Sequence, residues 1–146
     1  KERQGMEIVM LVIGKTGDGL IQQGMDTYLS RLQRYVKTTM KVVSSRDAQL
    51  KYLKPGDTLV LLDEKGALHD SVKLAGQLQK WMNAGPKRLV FAVGDAYGFS
   101  PEFRAMAAAT LGLSPLTFTH DMVRLIFLEQ CYRCMTILHN EPYHHR

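Results

Sequence analysis

Apolar residues along this chain follow two patterns, short uninterrupted runs and longer stretches with helical spacing. The uninterrupted runs show no alternation of apolar and polar residues, which is typical of strands buried on both faces, as in a parallel sheet. These runs predict five strands, at residues 7–13, 40–43, 58–63, 89–93 and 113–118. Residues 64–66 follow the third run and predict a loop at its carboxyl end.

Apolar residues three and four positions apart predict helices between the strands. The pattern predicts helices over residues 20–35, from a cap at Asp70 or Ser71 to about residue 83, and over residues 121–138. Ser100 offers an N-cap and Pro101 a first helical position, so a helix is also predicted to begin there. Residues 44–54 are polar, with a little helical character. The alternation predicts one α/β domain with a mostly parallel sheet and helices on both faces.

Two loops close together in sequence follow the last two predicted strands. The first contains Gly94 and Gly98, and glycine allows backbone conformations and close approaches that other residues do not. The second leads from the run at residues 113–118 into His120 and the long helix. Because α/β proteins bind ligands at the carboxyl edge of the sheet, the two loops predict one shared pocket.

Composition narrows the class of protein without naming a function. The 146 residues are 45% hydrophobic and 23% charged, which are ordinary globular values, and no apolar run approaches the length of a membrane span. Met6 is the natural start, so residues 1–5 are expected to be a leader or remnant outside the domain. Two cysteines give no disulfide framework, which favours a reducing, cytoplasmic setting. The net charge of +5 suits RNA, but many enzymes share it.

The long C-terminal helix is apolar nearly all round, which predicts either deep burial or a subunit interface. In so small a chain a homodimer interface is the better explanation. Arg124, Glu129 and Arg133 lie among its apolar residues, where charges need partners. The sequence leaves open whether they form structural ion pairs or belong to a site.

Cysteine and histidine residues near the C-terminus raise the question of a metal site. Cys131 and Cys134 form a single C-x-x-C pair, and without a second well-spaced pair they are better read as packed core thiols than as zinc ligands. The tail at residues 140–146 carries Tyr143, His144 and Arg146, which could stack on bases and contact phosphate. A frayed terminus is the alternative interpretation.

Several short motifs, taken together, resemble the bacterial ribosomal large-subunit RNA pseudouridine N3-methyltransferases of the SPOUT superfamily. The motifs are LLD at 61–63 with Gly66, VG and GFS at 93–100, LSPLTFTH at 113–120, MVR at 122–124, EQ and YR within 129–133, and PYH at 142–144. They occur in the right order from residue 59 to the end of the chain. Each motif alone is weak, but the set is specific.

The resemblance implies a SPOUT-type fold with a C-terminal trefoil knot, an S-adenosylmethionine cofactor and a homodimer acting on ribosomal RNA. A knot is an exception to the rule that chains do not thread themselves, and no periodicity could reveal it. The implied activity is methylation of N3 of a pseudouridine in large-subunit (23S) ribosomal RNA, on assembled ribosomes. The cofactor-binding residues implied by the family motifs are Leu62, Gly94, Leu113, Ser114, Pro115, Leu116, Thr117 and Phe118.

The sequence departs from the family pattern at three places. Asp95 stands where the family usually has a second glycine, and it would place a carboxylate beside a cationic cofactor, to help or to crowd it. Thr119 stands where many members have proline. The segment at residues 43–54 is shorter than the family leads one to expect.

Methyl transfer to N3 requires alignment, exclusion of water and removal of a weakly acidic proton. The resemblance and the residue types give His120, Arg124, Tyr143 and His144 as catalytic candidates, without deciding which is the base. Arg133 would bind phosphate or pair with Glu129, and Arg146 would contact RNA.

Two other functions remain open at the level of sequence. The α/β pattern also fits a flavodoxin-like nucleotide-binding hydrolase, although the long terminal helix and histidine-rich tail do not. The other alternative is a non-catalytic module that binds RNA or the ribosome and has lost its cofactor, which Asp95 would explain.

Overall fold

The computed structural model describes residues 6–145, and these form a five-stranded parallel sheet flanked by helices. Residues 1–5, predicted to be a leader, and the tail residue Arg146 lie outside the described residues. The strands are β1 (Glu7–Ile13), β2 (Lys37–Val43), β3 (Asp57–Leu68), β4 (Arg88–Val93) and β5 (Ala109–Gly112). The helices are α1 (Gly19–Leu32), α2 (Arg46–Tyr52), α3 (Ser71–Asn83), α4 (Pro101–Ala105) and α5 (His120–Leu138). The order across the sheet is β2-β1-β4-β3-β5.

The predicted alternation and helix caps are confirmed, while several boundaries differ. Asp70 caps α3 by accepting from the Lys73 amide, and Ser100 caps α4 by accepting from the Phe103 amide. Helix α1 ends at Leu32 rather than at residue 35, although Tyr35 is still buried beyond the helix. The polar segment at residues 44–54 contains a complete helix, α2, which periodicity alone did not reveal.

Strands β3 and β5 differ most from the predicted strands. The predicted loop at residues 64–66 lies inside β3, which continues to Leu68 after an irregularity. Leu111 on β5 is in register first with Leu62 and then with Ala67, so β3 pairs with β5 before and after that irregularity. The fifth strand is therefore four residues long and ends before Leu113, and residues 113–118 are the loop that follows it.

A close contact between two glycines makes this double pairing possible. A side chain on Gly66 would place its Cβ 2.6 Å from the carbonyl carbon of Leu111, and one on Gly112 would place it 2.7 Å from the Gly66 oxygen. Real Cβ atoms do not approach other atoms so closely, so both positions require glycine. The trefoil knot expected in this part of the chain stays a prediction.

Two apolar layers fill the space on the two faces of the sheet. Ile8, Met10 and Val12 of β1 join a large core with α1, α3 and α5. Val9 and Leu11 point the other way, into a smaller core under α2 and α4. Helices on both faces are thus confirmed, and uninterrupted apolar strands are the expected consequence.

Helix α5 packs in the large core against both α1 and α3, and this packing accounts for much of its apolar surface. Met122 on its first turn remains exposed, as does Leu20 on the first turn of α1. The homodimer stays a prediction. None of the helices within residues 6–145 is long and apolar enough to cross a membrane.

Candidate functional site

A cavity of about 320 Å³ opens at the carboxyl ends of β4 and β5, beside the irregularity that follows Leu62 in β3. Seven of the eight predicted cofactor residues line it, and only Pro115 of that set does not. The lining residues are Leu62, Asp63, Glu64, Val93, Gly94, Asp95, Ala96, Gly98, Phe99, Leu113, Ser114, Leu116, Thr117, Phe118, His120 and Val123. The predicted pocket built from two loops therefore exists, and β3 contributes a third segment to it.

The loop from Gly94 to Gly98 is a tight turn, and its own geometry requires glycine at its start. A Cβ on Gly94 would lie 2.8 Å from the carbonyl oxygen of Gly98. The Gly98 amide donates to the backbone carbonyl oxygen of Asp95 at 3.0 Å. Gly98 itself has a φ of +83°, a left-handed conformation that favours glycine. Gly94 is thus needed for closure of the loop, and not only for approach to a ligand as the sequence indicated.

Three carboxylates line the cavity, and arginines pair with two of them. Asp63 lies 3.0 Å from Arg104, while Asp95 lies 3.3 Å from Arg46. The backbone N–H of Lys65 and, against the effect of burial, the nearby Arg104 lower the pKa of Asp63. Glu64 accepts a hydrogen bond from the Thr117 hydroxyl at 2.9 Å, and no ion pair with it is found within residues 6–145.

Asp63 and Glu64 were not predicted as site residues, although a signal for them existed. They come directly after Leu62, where the apolar run of the third predicted strand ends. Polar residues at that position are the ones that face a ligand in α/β proteins. The loop predicted at residues 64–66 already placed Glu64 at that end of the strand, but the family motifs implied only Leu62 there as a site residue.

Arg124 has a structural environment that the sequence left open. Its guanidinium donates to the Ile13 carbonyl at 3.0 Å and to the Thr16 hydroxyl at 3.1 Å, and its burial lowers its pKa. One turn earlier, Asp121 accepts the backbone N–H groups of residues 17 and 18 at 3.0 and 3.1 Å. Neither residue lines a cavity described here, so these contacts tie the first turn of α5 to the loop after β1. The catalytic role of Arg124 stays a prediction.

A second cavity, of about 550 Å³, lies beside the first. Leu113 lines both cavities. The second is lined by His69, Asp70, Ser71, Val72, Leu74, Leu111, Gly112, Leu113, Gln130 and His144. The tail histidine therefore lies next to the loop that follows β5, whereas His120 lines the first cavity. The structure places the two histidine candidates in adjacent cavities.

The described part of the tail packs back onto α5 of its own chain. The Tyr143 hydroxyl donates to Glu129 at 2.9 Å, and its ring packs edge-on against Tyr132. Burial, then hydrogen bonds with Tyr28 and Glu129, raise the pKa of Tyr143. This packing argues against a frayed end for residues 141–145.

Arg133 connects the tail to the helix. It lies 2.7 Å from Glu129, and its Nη1 lies 3.1 Å from Nδ1 of His144. Its guanidinium also lies over the Tyr143 ring, 4.8 Å from the centroid. Of the two readings the sequence allowed, pairing of Arg133 with Glu129 is the one observed. The RNA-binding role of Arg133 stays a prediction, and Arg146 lies outside the described residues.

The C-x-x-C pair is part of the core. Cys131 and Cys134 are both buried on the inner side of α5. Burial raises the pKa of Cys134 to about 12 and raises that of Cys131 well above its usual value. A raised pKa keeps a thiol protonated and neutral, whereas the thiolate is the form that binds metal. Both cysteines are therefore packing groups of the core, which is the interpretation that the sequence favoured.

Comparison with known proteins identifies the family. The family model described as "Predicted SPOUT methyltransferase" matches residues 6–144. The chain is 46% identical to "Ribosomal RNA large subunit methyltransferase H" of Parabacteroides distasonis over 96% of its length and 99% of the relative. It is 44% identical to the protein of the same name from Trichlorobacter lovleyi, over 96% of this chain and all of that relative.

A solved structure, a probable methylase family protein from Haemophilus influenzae, matches with a TM-score of 0.59 at 11% identity. It covers 91% of this chain and 66% of its own, and at that identity it supports the fold alone. The predictions of the family and of a methyltransferase are thereby confirmed, and the chain belongs to the SPOUT methyltransferases.

Proposed function

We propose that this protein methylates N3 of a pseudouridine in large-subunit ribosomal RNA, with S-adenosylmethionine as the methyl donor. The relatives named above act on large-subunit ribosomal RNA by their names, and they align with this chain over almost its whole length. The observation that carries the proposal is the cavity at the sheet edge, lined by seven of the eight residues that the family motifs imply. The proposal includes action on assembled ribosomes in the cytoplasm.

The residues of the first cavity fit the methyl donor in size and charge. Ligand cavities are typically about 300–1,000 Å³, and this one lies within that range. Apolar side chains such as Leu62, Leu116 and Phe118 suit an adenine ring, while Glu64 suits a positive charge. When bound, S-adenosylmethionine supplies an electrophilic methyl group on a sulfonium. The residues of this chain must orient it and keep water away.

The second cavity is the proposed place for the target nucleoside. It lies across Leu113 from the first, so an acceptor there would be next to the methyl donor. Ser71 and Gln130, joined by a 2.7 Å hydrogen bond, give it polar groups for a base edge. Neither residue was a candidate at the sequence level, because only the fold brings α3 next to α5.

Arg133 determines what His144 can do in this arrangement. Arginine has only donors, so Nδ1 of His144 accepts from it and the neutral ring carries its proton on Nε2. In that tautomer His144 donates a hydrogen bond from Nε2 and stabilises the negative charge that develops on the target nucleobase. The Tyr143 hydroxyl donates its one proton to Glu129, so in this arrangement Tyr143 holds the tail on α5.

His120 is then the proposed base. It lines the first cavity at the start of α5 and is exposed. In the proposed reaction the N3 proton passes to His120 as the bond from N3 to the methyl carbon forms. Bound S-adenosylmethionine would supply the methyl carbon from its sulfonium, and S-adenosylhomocysteine would be the product that leaves.

The proposed homodimer would use the first turns of α1 and α5. Leu20 is 79% exposed, and the loop before it is tied to Asp121 beside the exposed Met122. Light scattering at micromolar concentration tests the dimer, and a monomer would contradict it.

A basic and aromatic surface at the other end of α1 is the proposed RNA contact, with Arg31 lying 5.4 Å from the ring centroids of Tyr28 and Tyr132.

The two alternative functions have lost their main support. A flavodoxin-like hydrolase is not favoured by the SPOUT family assignment. The non-catalytic module depended on Asp95 disturbing the cofactor, and Asp95 is paired with Arg46. The pairing removes the reason to expect that this carboxylate excludes the methyl donor.

Transfer of labelled methyl groups to ribosomes from a strain lacking the protein tests the proposed function. We expect label in one pseudouridine of the large subunit, located by mass spectrometry of RNA fragments. Purified RNA without ribosomal proteins shows whether assembled ribosomes are required. A protein that binds S-adenosylmethionine but labels neither substrate would contradict the proposed acceptor.

A further inference from the structure

Helix α2 presents two polar side chains, one turn apart, to the carboxyl end of β4. These side chains are Arg46 and Gln49, and Gln49 is only 1% exposed. Its amide donates to the carbonyls of Val93 at 3.0 Å and Leu11 at 3.4 Å. A buried amide must find such partners, and these are the carbonyls at the strand ends. Gln49 therefore holds α2 against the residue that immediately precedes the Gly94–Gly98 loop.

Arg46 lies one turn before Gln49 and contacts the loop itself. Its Nη2 donates to the Tyr97 carbonyl at 2.7 Å, and its Nε lies 3.3 Å from a carboxylate oxygen of Asp95. The other carboxylate oxygen of Asp95 accepts from the Tyr97 amide at 2.8 Å. One guanidinium thus holds two residues of the turn in their relative positions.

The loop lies between α2 and the cofactor cavity. Gly94, Asp95, Ala96 and Gly98 all line that cavity, while Arg46 and Gln49 do not. Arg46 therefore acts on the outer side of a loop whose inner side forms the cavity wall. The contact also joins two of the departures noted in the sequence, Asp95 and the short segment that contains α2.

We propose that Arg46 is a positioning residue for methyl-donor binding, and that it holds the Gly94–Gly98 loop in its binding shape through Asp95 and Tyr97. This inference rests on the proposed function, because it takes the first cavity to be the site of S-adenosylmethionine. Asp95 has a positioning role as well, because its carboxylate forms the ion pair with Arg46. The hydrogen bond from Arg46 to the Tyr97 carbonyl is charge-assisted, which is the stronger kind, and the ion pair with Asp95 adds to it.

The test is calorimetric binding of S-adenosylmethionine and of S-adenosylhomocysteine to the full chain and its variants. Arg46→Ala should weaken the binding of both ligands by a similar factor of about ten, the scale of one charge-assisted hydrogen bond together with an ion pair. Asp95→Asn should weaken both less, since the hydrogen bond from Arg46 to the Tyr97 carbonyl remains. The double variant should bind no worse than Arg46→Ala, because both changes remove the same contact.

Lys51→Ala is the matched control. Lys51 lies on the same helix and pairs with Asp47 at 3.0 Å, with both side chains largely exposed and neither one lining a cavity. Its removal should leave both affinities unchanged. Thermal unfolding of each variant shows whether a weakened affinity comes with loss of the fold.

The outcomes separate this inference from the proposed function. If the unaltered chain does not bind S-adenosylmethionine, the proposed function fails. If it binds and Arg46→Ala binds equally well, only the positioning role is overturned. The two ligands differ by the sulfonium charge, so a loss confined to one of them would indicate an electrostatic effect and would also overturn it. Additive losses in the double variant would do the same.

Discussion

The two adjacent cavities are built in different ways, although they share Leu113. The first is formed by the backbone turns that follow β4 and β5 and by the irregular middle of β3, and its shape depends on Gly94 and Gly98. The second is formed by side chains from α3, α5 and the tail, joined by hydrogen bonds. A site made of turns tolerates few changes of backbone, whereas a site made of side chains can lose one group and keep its shape. The variants below test that contrast, from the largest expected effect to the smallest.

Deletion of residues 142–146 should separate the two cavities most sharply. Methyl transfer should fall by about a hundredfold or more, the scale of lost acid–base help and positioning. Binding of S-adenosylmethionine should stay nearly unchanged, because the first cavity keeps all its lining residues. Measured turnover on ribosomes together with calorimetric affinity checks both.

Mixed dimers show whether the tail serves its own subunit or the partner. One hypothesis is that the tail reaches the site of the other subunit, whereas the described tail residues pack on their own α5. Under that hypothesis, a tail-deleted chain paired with a Gly94→Val chain recovers one working site. An inactive mixed dimer would assign the tail to its own subunit, and unchanged turnover of the deletion itself would leave catalysis to His120.

A side chain at Gly94 should damage the first cavity alone. Even Gly94→Ala brings a Cβ to 2.8 Å from the Gly98 oxygen, so the turn must open. We expect affinity for S-adenosylmethionine to fall more than about tenfold, and somewhat more in Gly94→Val. Gly76→Ala in α3 is the control, because nothing lies within 4 Å of its added Cβ and helices favour alanine. Equal affinity in Gly94→Ala would show that the turn is not part of the binding site.

Glu64→Gln tests whether charge in the first cavity matters. Glu64 is exposed at the cavity wall, so its attraction for a sulfonium is screened and modest. Affinity for S-adenosylmethionine should fall by about two- to fivefold, while affinity for neutral S-adenosylhomocysteine should hold. Thr117→Val, which removes the hydroxyl that Glu64 accepts, separates loss of charge from loss of this hydrogen bond. Equal losses for both ligands would refute the role of charge.

The smallest expected effect is at Thr119, which caps α5 by accepting from the Met122 amide at 3.2 Å. Thr119→Ala should lower the free energy of unfolding by about 1 kcal/mol, and Thr119→Ser should restore it. Denaturant unfolding measures both. Affinity for S-adenosylmethionine should not change, since Thr119 does not line the first cavity. A large loss of affinity would mean that the helix start and the cavity are more tightly coupled than their contacts indicate.

The candidate site was predictable to different degrees in its two halves. The loops at Gly94 and Leu113–Phe118 are contiguous in sequence and follow apolar strands, so the motifs that carry the family resemblance also carry the first cavity. Ser71 and Gln130 lie 59 positions apart in the sequence, and the residues around neither of them predict the hydrogen bond between the two. Arg46 was hidden for a related reason, since the polar helix α2 has no apolar stripe long enough to show its period.

The sequence by itself determined four of the five strands and the caps of α3 and α4, and the family resemblance added seven of the residues that line the first cavity. The strands and caps follow from local rules: uninterrupted apolar runs make buried strands, and a serine or aspartate ahead of a helix satisfies its first amides. The tertiary structure alone decided the second pairing of β3 with β5, the contact of Gly66 with Gly112, and the ties of Arg46 and Arg124 to backbone carbonyls. These depend on segments brought together by the order of strands in the sheet, and that order is set by packing of the whole chain rather than by any local pattern.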